Sequence, residues 1–160
     1  MVLVFTEGIS LRHWRESGML DREWALYHGL LEDYQQIVVL TYGGADDAEV
    51  LASLLRPEDA ARVRVVSNDT KLAAAEYTHA AVNRVVEACA GAPDVVVKTN
   101  QFAGGDVAVQ IVRQLRAAHK PAALIARGGY LWTRFVAYEH GPHSAQADAA
   151  AARERVICQA

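Results

Sequence analysis

Five short apolar runs recur along the chain at intervals of roughly 25–35 residues: Val2-Leu3-Val4-Phe5, Ile37 to Tyr42, Val63-Arg64-Val65-Val66, Val95-Val96-Val97 and Ala122 to Ala126. Most are uniformly apolar rather than alternating, the pattern of strands buried on both faces of a parallel sheet. The stretches between them follow a helical period. Ala108, Ile111, Val112, Leu115 and Ala118 form one apolar stripe with Arg113, Gln114 and Arg116 outside it, and Leu72, Ala75, Val82, Val86 and Cys89 form a second, ended by Gly91 and Pro93. Trp24, Tyr27, Leu31 and Tyr34 predict a third helix behind Asp21, and the alanine-rich stretch Ala145 to Ala152 a fourth. Strands alternating with helices of this length imply right-handed βαβ crossovers, so the predicted class is α/β: a Rossmann-like, doubly wound, mostly parallel sheet with helices on both faces.

Length and composition fit that reading. A chain of 160 residues, 52% hydrophobic and 22% charged, buries about two thirds of the surface its unfolded form exposes. One domain over residues 1–160 is expected, with no disulfide or metal needed to hold its core. The apolar start is too short for a signal-peptide core, and no apolar run approaches a spanning helix. Two cysteines, Cys89 and Cys158, do not make a disulfide framework, which suits a reducing compartment. The expected location is the cytoplasm.

The net charge of −3 conceals an asymmetry. Residues 1–80 carry 7 basic and 13 acidic side chains, whereas residues 81–160 carry 9 and 6. The total argues against nucleic acid but leaves room for a small anionic ligand in the basic half.

In open sheets of this class ligands bind beyond the carboxyl ends of the strands, so the chemistry is sought in the loops that follow each run. The first loop, Thr6 to Gly18, is longer than a βα turn needs. Gly8 would let backbone approach a phosphate or sugar, and Trp14 would either stack on a ligand or close the edge of the core. With only Gly8 and Gly18 in it, this loop has no GxGxxG and is no dinucleotide fingerprint. In the second, Tyr42-Gly43-Gly44-Ala45-Asp46-Asp47, the acids are expected to cap the next helix; paired carboxylates on Mg²⁺ are the alternative.

The loop Lys98-Thr99-Asn100-Gln101-Phe102-Ala103-Gly104-Gly105-Asp106 is the densest polar cluster. An ammonium, a hydroxyl and two amides at one strand end offer directional donors to a hydroxyl-rich or phosphorylated ligand, or else satisfy neighbouring loop amides. After the fifth run, Arg127 with Gly128-Gly129-Tyr130 again sets a cation and glycines at a strand end. Arg127 would either hold an anion or pair with Glu7 or Glu139. His140 and His143 flank Gly141-Pro142, which blocks a helical metal pair, and read as surface loop residues. G-x-S-x-G, P-loop and CxxC signatures are absent.

Four segments, taken together and in order, resemble the N-terminal domain of group 1 retaining glycosyltransferases of the GT-B fold. They are Glu7-Gly8 to Ser10 with Trp14, Gly18, Leu20 and Asp21-Arg22-Glu23; Thr41-Tyr42-Gly43; Lys98-Thr99-Asn100-Gln101 with Gly104; and Arg127-Gly128-Gly129-Tyr130. The resemblance spans almost the whole chain. It implies a two-domain enzyme that moves a sugar from a nucleotide-sugar donor to an acceptor hydroxyl, this chain supplying the acceptor side and a C-terminal domain the donor side. The ending Arg153 to Ala160 then reads as a helix before a further strand, and the chain as a fragment that does not turn over alone.

By position, the resemblance puts Glu7 and Gly8 in the cleft beside donor phosphate and acceptor, and Lys98, Asn100, Gln101, Arg127 and Tyr130 on the opposing wall, with Trp14 as a candidate stacking face. It implies no metal and no cofactor beyond the nucleotide-sugar co-substrate, a sugar or lipid-linked acceptor, and a place in the cytoplasm within reach of the inner face of a membrane. Family members often place a histidine against the transferred sugar; no histidine here follows a strand end. The alternatives are a stand-alone flavodoxin-like or response-regulator-like ligand-binding module, with Asp46-Asp47 as its acidic pocket, and a purely structural interaction domain.

Overall fold

A computed structural model of the chain describes residues 1–128 and 131–160. Gly129 and Tyr130 lie outside the described residues, and with them the expectation for Tyr130. The five apolar runs form five strands, β1 (Val2–Val4), β2 (Ile37–Leu40), β3 (Val63–Val66), β4 (Val95–Thr99) and β5 (Ala122–Ile125). They make one all-parallel sheet in the order β3-β2-β1-β4-β5, with Val4 in register with Leu40 on one side and Thr99 on the other. The class is Rossmann-like α/β.

Pleating sends alternate residues of the central strands into two separate cores. Val2, Val4, Val38, Leu40 and Val97 meet α5 (Ala74–Ala88) and α6 (Gly105–Ala117) on one face. Leu3, Phe5, Ile37 and Val39 meet α1 (Leu11–Glu16), α2 (Leu20–Gly29) and α3 (Asp46–Ala52) on the other. Each such Val, Leu or Phe contributes about 1.5–3 kcal/mol by leaving water, so the central strands anchor both layers. The uniform apolar reading holds for β1 and β2 but not for the edges. Arg64 of β3 is exposed, as are Ala123 and Ile125 of β5, the two edge strands of the sheet.

The remaining elements are α4 (Pro57–Ala60), α7 (Trp132–His140) and α8 (Ala145–Cys158). The alanine-rich stretch is helical as expected, opened by Ser144, whose hydroxyl accepts from the Ala147 amide at 3.1 Å. Four sequence expectations need correction. The first loop is not irregular throughout but contains α1. Leu72 lies ahead of α5 and is exposed, because Asn68 holds it with two hydrogen bonds, to its amide and from its own side-chain amide to the Leu72 carbonyl, each 2.9 Å. α2 ends at Gly29, so Tyr34 lies beyond it, after a 3-10 turn at Leu30–Glu32. His140 is the last residue of α7 rather than a loop residue; it and His143 are exposed, as expected.

Candidate functional site

The strand order changes direction between β1 and β4, and this is where a parallel sheet opens a crevice. A cleft of about 360 Å³ lies there. Thr6 and Ile9 line it from the end of β1, His13 and Trp14 from α1, Met19 from just before α2, Asn100 to Ala103 from the end of β4, and Trp132 from the start of α7.

Each wall has a local cause. Ser10 caps α1 by accepting from the His13 amide at 2.9 Å. A second cap reaches across from α3: the carboxylate of the fully buried Asp47 accepts from the amides of Leu11 and Arg12, both at 3.0 Å, and from the Thr41 hydroxyl. The sequence expectation that Asp47 caps its own helix is therefore corrected. Its oxygens serve α1, while the half-buried Asp46 pairs with Arg12 at 3.3 Å. Among the described residues no group of His, Cys, Asp and Glu could hold a metal ion. Gly43 permits the cap, since a Cβ there would lie 2.2 Å from an Asp47 oxygen.

On the β4 side the Asn100 amide donates to the Val4 carbonyl at 2.7 Å, extending the ladder one residue past the strand. The chain then tightens into a 3-10 turn at Phe102–Gly104 before α6 begins. Gly104 is required by close approach, a Cβ there being 3.0 Å from the Phe5 carbonyl oxygen. Trp132 is set in place by α8: Glu154 accepts from the Thr133 amide at 2.9 Å and the Thr133 hydroxyl at 2.6 Å. The Arg153 guanidinium lies 4.5 Å from the Trp132 ring centre while its Nε donates to Asp106 at 2.6 Å.

Two little-exposed polar residues face the cleft. Asn100 is only 5% exposed and lines it. The Thr6 hydroxyl is buried and has no hydrogen-bond partner among the described residues. A buried polar group without a partner costs about 1–3 kcal/mol; one that faces a crevice is what a ligand would satisfy.

The structure therefore brings together Asn100, Gln101 and Trp14 of the residues singled out in the sequence, and adds Thr6, His13 and Trp132. Trp14 does both things considered for it: it is 2% exposed against Phe5, ring centres 4.2 Å apart, and its remaining edge lines the cleft. Glu7 and Gly8 form an exposed turn beside the cleft and are not among its lining residues. Gly8 has open space around it, so its φ of +78° and not a close approach is what calls for glycine.

Lys98 and Arg127 also lie outside the lining. Lys98 is in register with Leu3 and so faces the α2 layer, where its Nζ donates to the Tyr27 hydroxyl at 3.0 Å. Burial, then the nearby charge of Arg127, lowers its pKa, with Glu23 acting in the opposite sense. The Arg127 amide donates to the Thr99 hydroxyl at 2.9 Å and its guanidinium pairs with Glu23 at 3.2 Å, not with Glu7 or Glu139. These two cations form one cluster on the α2 side of the sheet and not a wall of the cleft with Gln101. His13 was missed because a histidine in a long loop carries no signal until that loop is known to hold a helix, and Trp132 because α8 places it through a contact between residues 21 apart in sequence.

No family model matches this chain, and neither the curated proteins nor the solved structures contain a match to it.

Proposed function

We propose that the chain is the acceptor-side half of a glycosyltransferase that moves a sugar from a nucleotide-sugar donor to an acceptor hydroxyl. The observation that carries the reading is the unsatisfied, buried Thr6 hydroxyl together with the little-exposed Asn100 in a crevice at the switch point of a parallel sheet, beside indole faces from Trp14 and Trp132. Hydrogen-bonding groups that both donate and accept, set against aromatic surface, are what a carbohydrate ring requires. On this reading the donor nucleotide sits on a second α/β domain across the cleft, and the residues described here position the acceptor hydroxyl, with His13 the only ionisable side chain among the described residues of the lining. Holding two reactants in register supplies much of the barrier reduction in such transfers. Cys89 and Cys158 are both free thiols, in keeping with a reducing, cytoplasmic setting. Among the described residues no helix is long and apolar enough to cross a membrane.

The stand-alone acidic-pocket alternative loses its main support, since Asp47 is committed to α1. The test is transfer by the product of the whole reading frame, offered a panel of labelled nucleotide sugars with carbohydrate acceptors. Labelled product is expected from the whole product and none from residues 1–160 alone. Robust turnover by residues 1–160, or no transfer from any donor by the whole product, overturns the reading.

A further inference from the structure

We infer that the cleft takes an uncharged, hydroxyl-rich ring and discriminates against the phosphorylated form of that ring. The inference rests on reading the cleft as an acceptor site and narrows what the acceptor is.

Among the described residues no lysine or arginine lines the cleft; the polar ones are Thr6, His13, Asn100 and Gln101. The cations around it are already held. Arg12 is paired with Glu16 at 2.8 Å and with Asp46, Arg153 with Asp106 and the face of Trp132, Arg127 with Glu23, and Lys98 with the Tyr27 hydroxyl. One nearby carboxylate is not neutralised. Glu7 is exposed, with no ion pair among the described residues, and with Asp106, which pairs with Arg153, it adds to the burial that pushes the Tyr42 phenol up. Asp106 also stands in the first turn of α6, so the positive end of that helix is already met by a carboxylate.

A phosphate would enter this site without a charged partner, and charge-assisted bonds are what make phosphate binding strong. It accepts and does not donate, so the Asn100 side-chain oxygen would face an anion or stay unsatisfied. A vicinal pair of hydroxyls matches the same amide, donating to its oxygen and accepting from its nitrogen, and the Thr6 hydroxyl serves in either sense. Trp132 presents only part of its surface, since Arg153 covers one face; the remainder, with Trp14 and Phe102, suits the C–H face of a ring.

The test is an amide-resolved NMR titration of the 160-residue chain. The probes are methyl glucoside, methyl mannoside and methyl galactoside, against glucose 1-phosphate, glucose 6-phosphate and inorganic phosphate. At least one glycoside is expected to give saturable shifts at Thr6, His13, Asn100, Gln101 and the Trp132 indole, with a Kd in the millimolar range. That Kd should change less than about twofold between low and high salt, and each phosphate should bind at least about 10-fold more weakly. Asn100→Leu and Thr6→Val should each weaken the glycoside about 10-fold while the rest of the spectrum stays in place. A phosphate binding these residues more tightly than every glycoside overturns the inference and leaves the acceptor-site reading standing. Shifts at the cleft that neither variant weakens, or no glycoside binding there, also overturn it, and the transfer assay then judges the broader reading separately.

Discussion

Replacing Asp47 by alanine removes a carboxylate that no water reaches and that accepts three hydrogen bonds, from the amides of Leu11 and Arg12 and from the Thr41 hydroxyl. The Leu11 amide is left buried and unpaired, which costs about 1–3 kcal/mol, while the partly buried Arg12 amide recovers some of its loss through water. The Thr41 hydroxyl loses its acceptor but continues to accept from the Gly43 amide at 2.9 Å. Together with the void left behind, the expected loss is about 3–4 kcal/mol. For a domain of this size that is roughly 10 °C in Tm. The assay is urea unfolding with amide hydrogen exchange. The midpoint should fall with an unchanged slope, and exchange at Leu11 and Arg12 should accelerate far more than in β1. Asp47→Asn keeps one acceptor but turns an NH₂ toward donors, so it should lie close to the alanine variant. A loss below about 1 kcal/mol for Asp47→Ala, with the slope unchanged, would refute the assignment of α1 to this cap. The account of how His13 and Trp14 reach the cleft would fall with it.

The Tyr77 hydroxyl donates to the carbonyls of Thr41 at 2.5 Å and Val66 at 3.0 Å, and burial pushes its pKa well up. The folded value exceeds the unfolded one, so its contribution is complete below roughly pH 10 and is lost as pH rises beyond it; the urea midpoint should hold from neutrality and drop above roughly pH 10, with Tyr77→Phe flattening the drop and costing about 1 kcal/mol at neutral pH. An equal drop in the variant would assign the effect elsewhere, with Tyr27 and Tyr42, also raised by burial, the first alternatives. Arg127→Ala breaks a half-exposed ion pair and should cost less than about 1 kcal/mol. It should also raise the pKa of Lys98, though burial still keeps it below a free lysine; NMR of methylated lysine reads this directly, and an unmoved Lys98 would separate the two cations. Gly104→Ala pushes a methyl against the Phe5 carbonyl and should cost about 1–3 kcal/mol in Tm measurements and abolish glycoside shifts at the cleft. Gly8→Ala, strained only by its positive φ, should cost about 1 kcal/mol and leave the cleft intact.

The sheet, its class and the approximate place of every strand were legible in the sequence, because apolar runs that must be buried on both faces have few ways to satisfy that need other than a parallel sheet between helices. The rule that ligands lie beyond strand ends then pointed to Asn100 and Gln101, which the structure places in the lining of the cleft. It could not separate them from Lys98 and Arg127, which occupy neighbouring strand ends in sequence. Pleating decides that separation: one residue's step along β4 turns the Lys98 side chain toward α2 and Tyr27, while Asn100 stands past the strand at the crevice. The function of Asp47 was equally hidden, since a carboxylate at the start of a helix caps that helix in most sequences, and only the packing of α1 against α3 made it the cap of another. Trp132 and His13 reach the cleft through contacts with α8 and α3 that have no periodicity to betray them. Local patterning thus determined which segments are buried, and long-range hydrogen bonds, which depend on where buried segments meet, decided which side chains share a site.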